Sequence, residues 1–446
     1  MTMTLTLQQK TEDRPFNPWR KFTEDAKPFL RMLAMFLEAQ RGKKNRRNPQ
    51  DQHRYEQLLE AVVADLAHNA LLNEPVAIHL SRNQNELSKQ FNRNYNPAFL
   101  NGTMLPDILD ALKALFMIEM TKGHCGPPRK DGRTVKQTRI TAGTTFIDLL
   151  KNHRVKIGQI ESQYEGREIL MLKGNAEGDE GFSPVGHERD NRHLVDYEDT
   201  ETSRAYRQEV VSINQWLSHA PLTIVGDVTV DIRERQLRRH FSRSSFESGG
   251  RLFGGFWQPM HKVDRFPSLR IDGREIVEHD YKTMMPRLLY GHTKQSIPPT
   301  MTEDLYRIPG YERSRAGIKK LFSAMLFDLP GKVRNTFPNH DRTGFHLDDL
   351  QRAGGKVGPI IEAIKTAHRP VAEHFGTGLG YYLMFLESQI LIAVLLELFN
   401  RGVYTLPLHD AVLVSKGKEA AHAQLVMLKI FERIAGIPGK LETHTN

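Results

Sequence analysis

The chain has 446 residues, 39% of them hydrophobic, which gives room for about two to four domains and excludes a collagenous or broadly disordered protein. A net charge of +9 favours a polyanionic partner such as nucleic acid. The single Cys125 excludes an intramolecular disulfide and a cysteine metal cluster, and it fits a reducing, cytoplasmic compartment; no secretory signal is expected at the N-terminus.

In chain order, residues 1–50 read as a polar arm that holds a short apolar helix over Phe29–Leu37 and the basic run Arg41, Lys43, Lys44, Arg46 and Arg47. Such a run is a solvated linker or a phosphate contact. Tyr55, Leu58, Leu59, Val62, Val63 and Leu66 fall at helical spacing and predict an amphipathic helix whose stripe is core. A second helix carries Leu105, Ile108, Leu109, Leu112 and Phe116. The basic turn Pro127–Arg133 and strand-like residues to Thr141 follow it. Helices followed by a basic hairpin are the pattern of a winged-helix module over residues 51–173; a small helical domain with a solvated hairpin stays open beside it. Gly174–Arg192 is rich in Gly, Asp, Glu and Asn and predicts a linker over residues 174–204. Asp199-Thr200-Glu201 lacks an apolar strand to fix it as a metal site and reads as surface or helix cap. Val210 to Leu217 predict another helix, and Arg233, Arg235, Arg238, Arg239 and Arg243 form a second basic cluster. The most apolar stretch, Leu379–Phe399, contains Glu387, Gln389 and Glu397, so it is expected as a buried helix rather than a membrane span.

Four pieces of the C-terminal half fit one chemistry. Leu269 to Tyr290 holds an Asp272-Gly273 hairpin signal, a second strand ending at Asp280, and a helix start with Pro286 in its first turns. Gly250-Arg251-Leu252 allows close backbone approach beside a planar fork of donors. On a helix, Arg315 and Lys319 share a face, and an anion such as a triphosphate would relieve their repulsion. Val403 to Val414 reads as a hairpin with His409-Asp410 at its tip. Two aspartates on neighbouring strands suit a pair of Mg²⁺ ions, which prefer hard oxygen ligands and serve phosphoryl transfer.

At these residues the chain resembles the family-A DNA polymerases. Asp280-Tyr281-Lys282-Thr283-Met284-Met285-Pro286-Arg287 is similar to motif A, and Arg315, Lys319 and Phe327 match the spacing of motif B. His409-Asp410 is similar to motif C, and Gly250-Arg251-Leu252 to the segment preceding motif A. The resemblance covers roughly Gly249–Val414 and implies an antiparallel palm sheet with helical fingers at about 295–375, within a polymerase region at 205–446. It further implies that Asp280, Asp410 and the Tyr281 carbonyl bind two Mg²⁺ and that Arg315, Lys319, Phe327 and Met285 meet the nucleotide. Arg251 and His409 would then meet the primer end. Met285 stands where the family has a Glu, Ser323 replaces an earlier aromatic of motif B, and Ala411 replaces a common second acid after His-Asp.

The expectation is an α+β chain of polymerase right-hand architecture with a mostly helical N-terminal region. It would act on primed DNA template and nucleoside triphosphates, without a proofreading exonuclease and without a membrane. A single-subunit RNA polymerase or primase is the nearest alternative. A non-catalytic winged-helix replication initiator is the alternative from another class.

Overall fold

The computed structural model describes residues 13–40, 47–72, 75–87, 91–123, 137–174, 194–228, 230–331 and 334–445. The basic turn Pro127–Arg133, the predicted linker from 175 to 192, and Arg41, Lys43, Lys44 and Arg46 lie outside them. The fold is mixed α+β, with several sheets and thirteen α-helices among the described residues. It divides into two compact units.

The first unit holds the described residues as far as Glu168, with Val230 and Asp231. Its elements are β1 (Arg14–Pro15), β2 (Arg20–Phe22), α1 (Lys27–Gln40), α2 (Pro49–Ala70), β3 (Ile78–Leu80), α3 (Gln84–Leu87), α4 (Met104–Ala114), β4 (Ile118–Thr121), β5 (Thr138–Ala142), α5 (Thr144–Asn152) and β6 (Ile160–Ser162). One sheet runs β1-β3-β5-β4, and β2 pairs with β6 in a separate ribbon. The predicted stripe on α2 forms the centre of one core with Leu33 and Leu37 of α1, Ile108 and Leu112 of α4, and Phe146 of α5. Asn48 caps α2, its side chain accepting from the Asp51 amide at 2.8 Å. Asp65, buried on α2, is neutralised by Arg14 at 2.9 Å and Arg20 at 2.8 Å, and their charges hold its carboxyl below the ordinary range against the opposing effect of burial.

The second unit holds the described residues from Ile169 onward, apart from Val230 and Asp231. It comprises β7 (Leu170–Leu172), α6 (Glu201–Ser218), β8 (Leu222–Ile224), β9 (Arg238–Ser242), β10 (Ser245–Phe253), α7 (Lys262–Ser268), β11 (Leu269–Ile271), β12 (Arg274–Tyr281), α8 (Met284–Thr293), α9 (Arg315–Phe327), α10 (Leu347–Arg352), α11 (Gly358–Ala367), α12 (Gly380–Asn400), β13 (Thr405–Leu408), β14 (Ala411–Ser415), α13 (Lys418–Ala435) and β15 (Leu441–His444). A six-stranded antiparallel sheet has the order β13-β14-β12-β11-β8, with β15 also paired to β12. A three-stranded sheet, β10-β9-β7, is separate from it.

The turn residues set this register. Asp272 and Gly273 both take positive φ, 55° and 70°, as a primed two-residue turn requires, and Ile271 pairs with Arg274 across it. Among the described residues α12 is the one helix long and apolar enough to cross a membrane. Leu383, Ile390, Val394 and Leu398 along it are buried within this unit, as expected of a core helix. β10 passes so close to α12 that a Cβ at Gly250 would lie 2.5 Å from Ser388 Oγ. Asp199-Thr200-Glu201 is the cap of α6: Thr200 Oγ1 accepts from the Ser203 amide, and Asp199 pairs with Arg207 at 3.0 Å.

Candidate active site

Side chains alternate along β12, so Ile276, Glu278 and Asp280 share one face, while Val277, His279 and Tyr281 share the other. On the second face His279 bonds Thr443 Oγ1 and the Ala420 carbonyl, both at 2.9 Å, and Tyr281 donates to the Met427 carbonyl at 2.7 Å. These are structural bonds that seat the strand on α13. On the first face, Asp280 lies directly opposite Ala411 of β14 on one side and Glu442 of β15 on the other. Leu408 pairs with Ala411, so His409-Asp410 forms a two-residue turn, with His409 at φ 59°. Asp410 therefore stands one residue beyond the position facing Asp280. The predicted strand end and the predicted hairpin tip meet.

The electrostatics of this corner differ from the rest of the unit. The fully buried acids of this unit each have a cation. Glu278 is held by Lys262 and Arg265, both at 3.1 Å; Glu387 by Arg251 at 2.6 Å; and Asp349 by Arg352 at 3.4 Å. Asp280 Oδ1 is buried and accepts no hydrogen bond. Neither Asp280 nor Asp410 has a hydrogen-bond or ion-pair partner among the described residues. Burial, followed by the Asp410 charge, pushes the Asp280 carboxyl up to about 7, with Lys319 pulling the other way. An unpartnered buried oxygen beside a second free carboxylate fits a hard divalent cation, since Mg²⁺ is commonly held by one or two carboxylates plus water.

Arg315 and Lys319 lie one turn apart near the start of α9. Lys319 forms no ion pair among the described residues, and its charge acts on both Asp280 and Glu387. Arg315 is engaged: it pairs with Asp304 through two nitrogens, one contact at 3.3 Å, with its guanidinium carbon 5.7 Å from the Tyr306 ring centre. The sequence pattern suggested an external anion between the two cations. A protein carboxylate from the segment before α9 already compensates one of them.

Arg251 sits on β10, and its Nε donates to Glu387 Oε1. Glu387 is 1% exposed on α12, and burial raises its carboxyl despite Arg251. The Arg251 Nη atoms make no hydrogen bond among the described residues, which leaves that edge of the fork free. The His409 ring lies 6.2 Å from Phe253. Phe327 closes the C-terminal end of α9, buried edge-on against Tyr381 at 4.9 Å. Met285 is half-buried in the first turn of α8. Trp257 donates to the Pro407 carbonyl at 2.8 Å, tying the glycine-rich segment to β13.

Sequence reasoning missed Asp304, Tyr306 and Glu442, and used Glu387 only as evidence of a buried helix. Glu387 gave the one available signal, a lone acid inside an apolar helix. Glu442 gave none, because four residues are too few for an alternation to register.

The sequence matches no family model, and no curated protein is similar to it. Among solved structures, the POL domain of Pol1 from M. smegmatis, in complex with DNA primer-template and dNTP, is a weak structural neighbour. It shares 10% identity with a TM-score of 0.29, over 95% of this chain and 66% of that one. The chain thus spans just under two thirds of that neighbour's length.

Proposed function

We propose that the second unit is a template-directed nucleotidyltransferase of family-A type, a small DNA-directed DNA polymerase without a proofreading exonuclease. Its six-stranded sheet would be the palm and α9 to α11 would belong to the fingers. One observation carries the reading: Asp280 and Asp410, both half-buried, converge without hydrogen-bond or ion-pair partners among the described residues, with one Asp280 oxygen shut off from solvent, in a unit whose fully buried acids each have a cation. The donor set suits two Mg²⁺, held by Asp280, Asp410 and the Tyr281 carbonyl. Once bound, these ions supply charge that lowers the pKa of the attacking hydroxyl and offsets charge on the transferring phosphate.

The remaining groups bind and orient. Lys319, with no ion pair of its own, is the cation available to the incoming triphosphate, and Arg315 joins it when released from Asp304. Arg251 is braced by Glu387, so its free Nη edge is aimed rather than mobile, as a contact to the primer end requires. Phe327 and Met285 would border the base and sugar of the incoming nucleotide, and His409 the primer terminus.

For the first unit we propose a winged-helix module. The order α2, β3, α3, α4, β4, β5, with β5 between β3 and β4, supports this. The outward face of α4 carries Asp107, Asp110 and Lys113, with Asp110 clamped by Arg82 at 2.7 and 2.8 Å. That face is poorly suited to DNA phosphates, so any phosphate contact would come from other residues.

The test is extension of a primed template with dNTPs or NTPs in Mg²⁺, using wild-type protein, Asp280→Asn and Asp410→Asn. Either substitution should abolish synthesis while primed DNA is still bound. Preference for NTPs would replace the DNA polymerase with an RNA polymerase or primase, and near-normal synthesis by either variant would overturn the two-aspartate centre.

A further inference from the structure

The row of side chains crossing the sheet at Asp280 has a third member. Directly opposite residues on antiparallel strands point to the same face with Cβ atoms about 4.5–5.5 Å apart. Ala411, Asp280 and Glu442 therefore form one line across β14, β12 and β15. On the β14 side Asp280 faces a methyl group; on the β15 side it faces a second carboxylate. Like charges facing each other across a ladder destabilise a sheet. Where this protein buries an acid elsewhere in the unit, it supplies a cation.

Glu442, exposed on β15, has no such cation either. It has no hydrogen-bond or ion-pair partner among the described residues. Two candidate cations are engaged elsewhere: Lys440, two residues earlier, pairs with Glu303, and Arg315, whose charge reaches Glu442, pairs with Asp304. Next to it, Asp280 Oδ1 is a buried acceptor without a donor. Two facing carboxylates, one with an orphaned oxygen, make a weak place in a sheet unless something positively charged and oxygen-seeking sits between them.

We propose that Glu442 is a third carboxylate of the metal centre, presented by β15 across the sheet from Asp280. The proposal rests on the two-aspartate reading and deepens it. The centre then draws on β12, β15 and the turn that leads into β14, and β15 contributes chemistry besides closing the sheet. Glu442 is solvent-exposed, so its longer side chain can turn toward an ion beside Asp280 without a change of backbone. Its function is to hold the ion; the attacking and leaving groups are left to Asp280, Asp410 and the cations of α9.

The test uses Mn²⁺ as a paramagnetic probe, titrated into the full chain without DNA or nucleotide and read from the loss of the free-ion resonance. Wild type, Asp280→Asn, Glu442→Gln and Glu442→Asp are compared, with circular dichroism to verify folding. Glu442→Gln should weaken Mn²⁺ binding about tenfold or more, a loss of about 1.4 kcal/mol. Glu442→Asp should recover part of it, which a merely structural side chain would not do. If Asp280→Asn loses binding and Glu442→Gln binds as wild type does, the third ligand is refuted and the two aspartates stand. If wild type takes up no Mn²⁺, or Asp280→Asn binds it normally, the metal centre itself fails and Glu442 with it.

Discussion

Replacing Asp280 by Asn should make the metal-free protein more stable while destroying its activity. The carboxyl is pushed up to about 7 from 3.8, chiefly by burial and then by Asp410. A raised carboxyl means that the folded state binds more protons than the unfolded chain between about pH 4 and pH 7, so stability falls as pH rises through that window. Above it, the ionised Asp280 costs at most about 4 kcal/mol, three pKa units at 1.36 kcal/mol each. Solvent reaches part of the side chain and Lys319 lies nearby, so a realised cost of about 1–2 kcal/mol is expected. At about 2–4 °C per kcal/mol for a domain of this size, Asp280→Asn should raise the melting temperature by about 2–8 °C at pH 8 in chelator. At pH 5 the gain should be small. Adding Mg²⁺ should stabilise wild type in proportion to its occupancy and leave the Asn variant unmoved, so the order of the two melting curves reverses. Differential scanning calorimetry of both proteins at two pH values, with and without Mg²⁺, measures all four cases. An Asn variant that melts at or below wild type at pH 8 in chelator would refute the claim that Asp280 is held at a cost for a bound cation.

Lys319→Ala should raise the KM for the nucleoside triphosphate about tenfold or more while primed-DNA binding changes little, because a charge-assisted phosphate contact is lost; steady-state kinetics at varied nucleotide decides it. Gly250→Ala should cost about 2–4 kcal/mol in denaturant unfolding, since φ is 89° and the new methyl would meet Ser388 Oγ; a silent substitution would contradict the close approach of β10 to α12. His368 is kept neutral in the fold: Nε2 donates to the Leu305 carbonyl at 2.9 Å, Nδ1 accepts from Tyr290 at 3.0 Å, and burial lowers its pKa to about 4. With the folded pKa depressed, its contribution is present above pH 6.5 and is lost as pH falls toward 4, by at most about 3 kcal/mol. His368→Asn should flatten that part of the stability–pH profile, and an unchanged slope would exclude His368 as its source.

The readable parts of the chain were those where a local rule has one solution. Asp272-Gly273 permits a primed turn, His409-Asp410 sits between two short apolar strands, and Arg315 to Phe327 keeps helical spacing; each takes the expected form. The helix stripe at Tyr55–Leu66 and the cap at Asp199-Thr200 were equally legible. What stayed hidden depends on pairing between distant segments. The first unit's four-stranded sheet is assembled from strands of two to five residues, too short to show a period of two. Asp304 lies in an irregular stretch and gains meaning only by meeting Arg315. Glu442 is one acid in a polar tail until the ladder sets it against Asp280.

The alternation along β12 also limits how this sheet can change. Sliding the strand by a single residue against β14 and β15 would turn Asp280 toward Met427 and Phe431 and bring Tyr281 and His279 out to where the acids now stand. A lineage could therefore lengthen or trim the hairpin after Asp272 only by even steps, or by a bulge that restores the phase. The same parity gives an engineer a clean control: one inserted residue between Gly273 and Ile276 should leave every side chain present yet dismantle the acidic row, and a second should rebuild it.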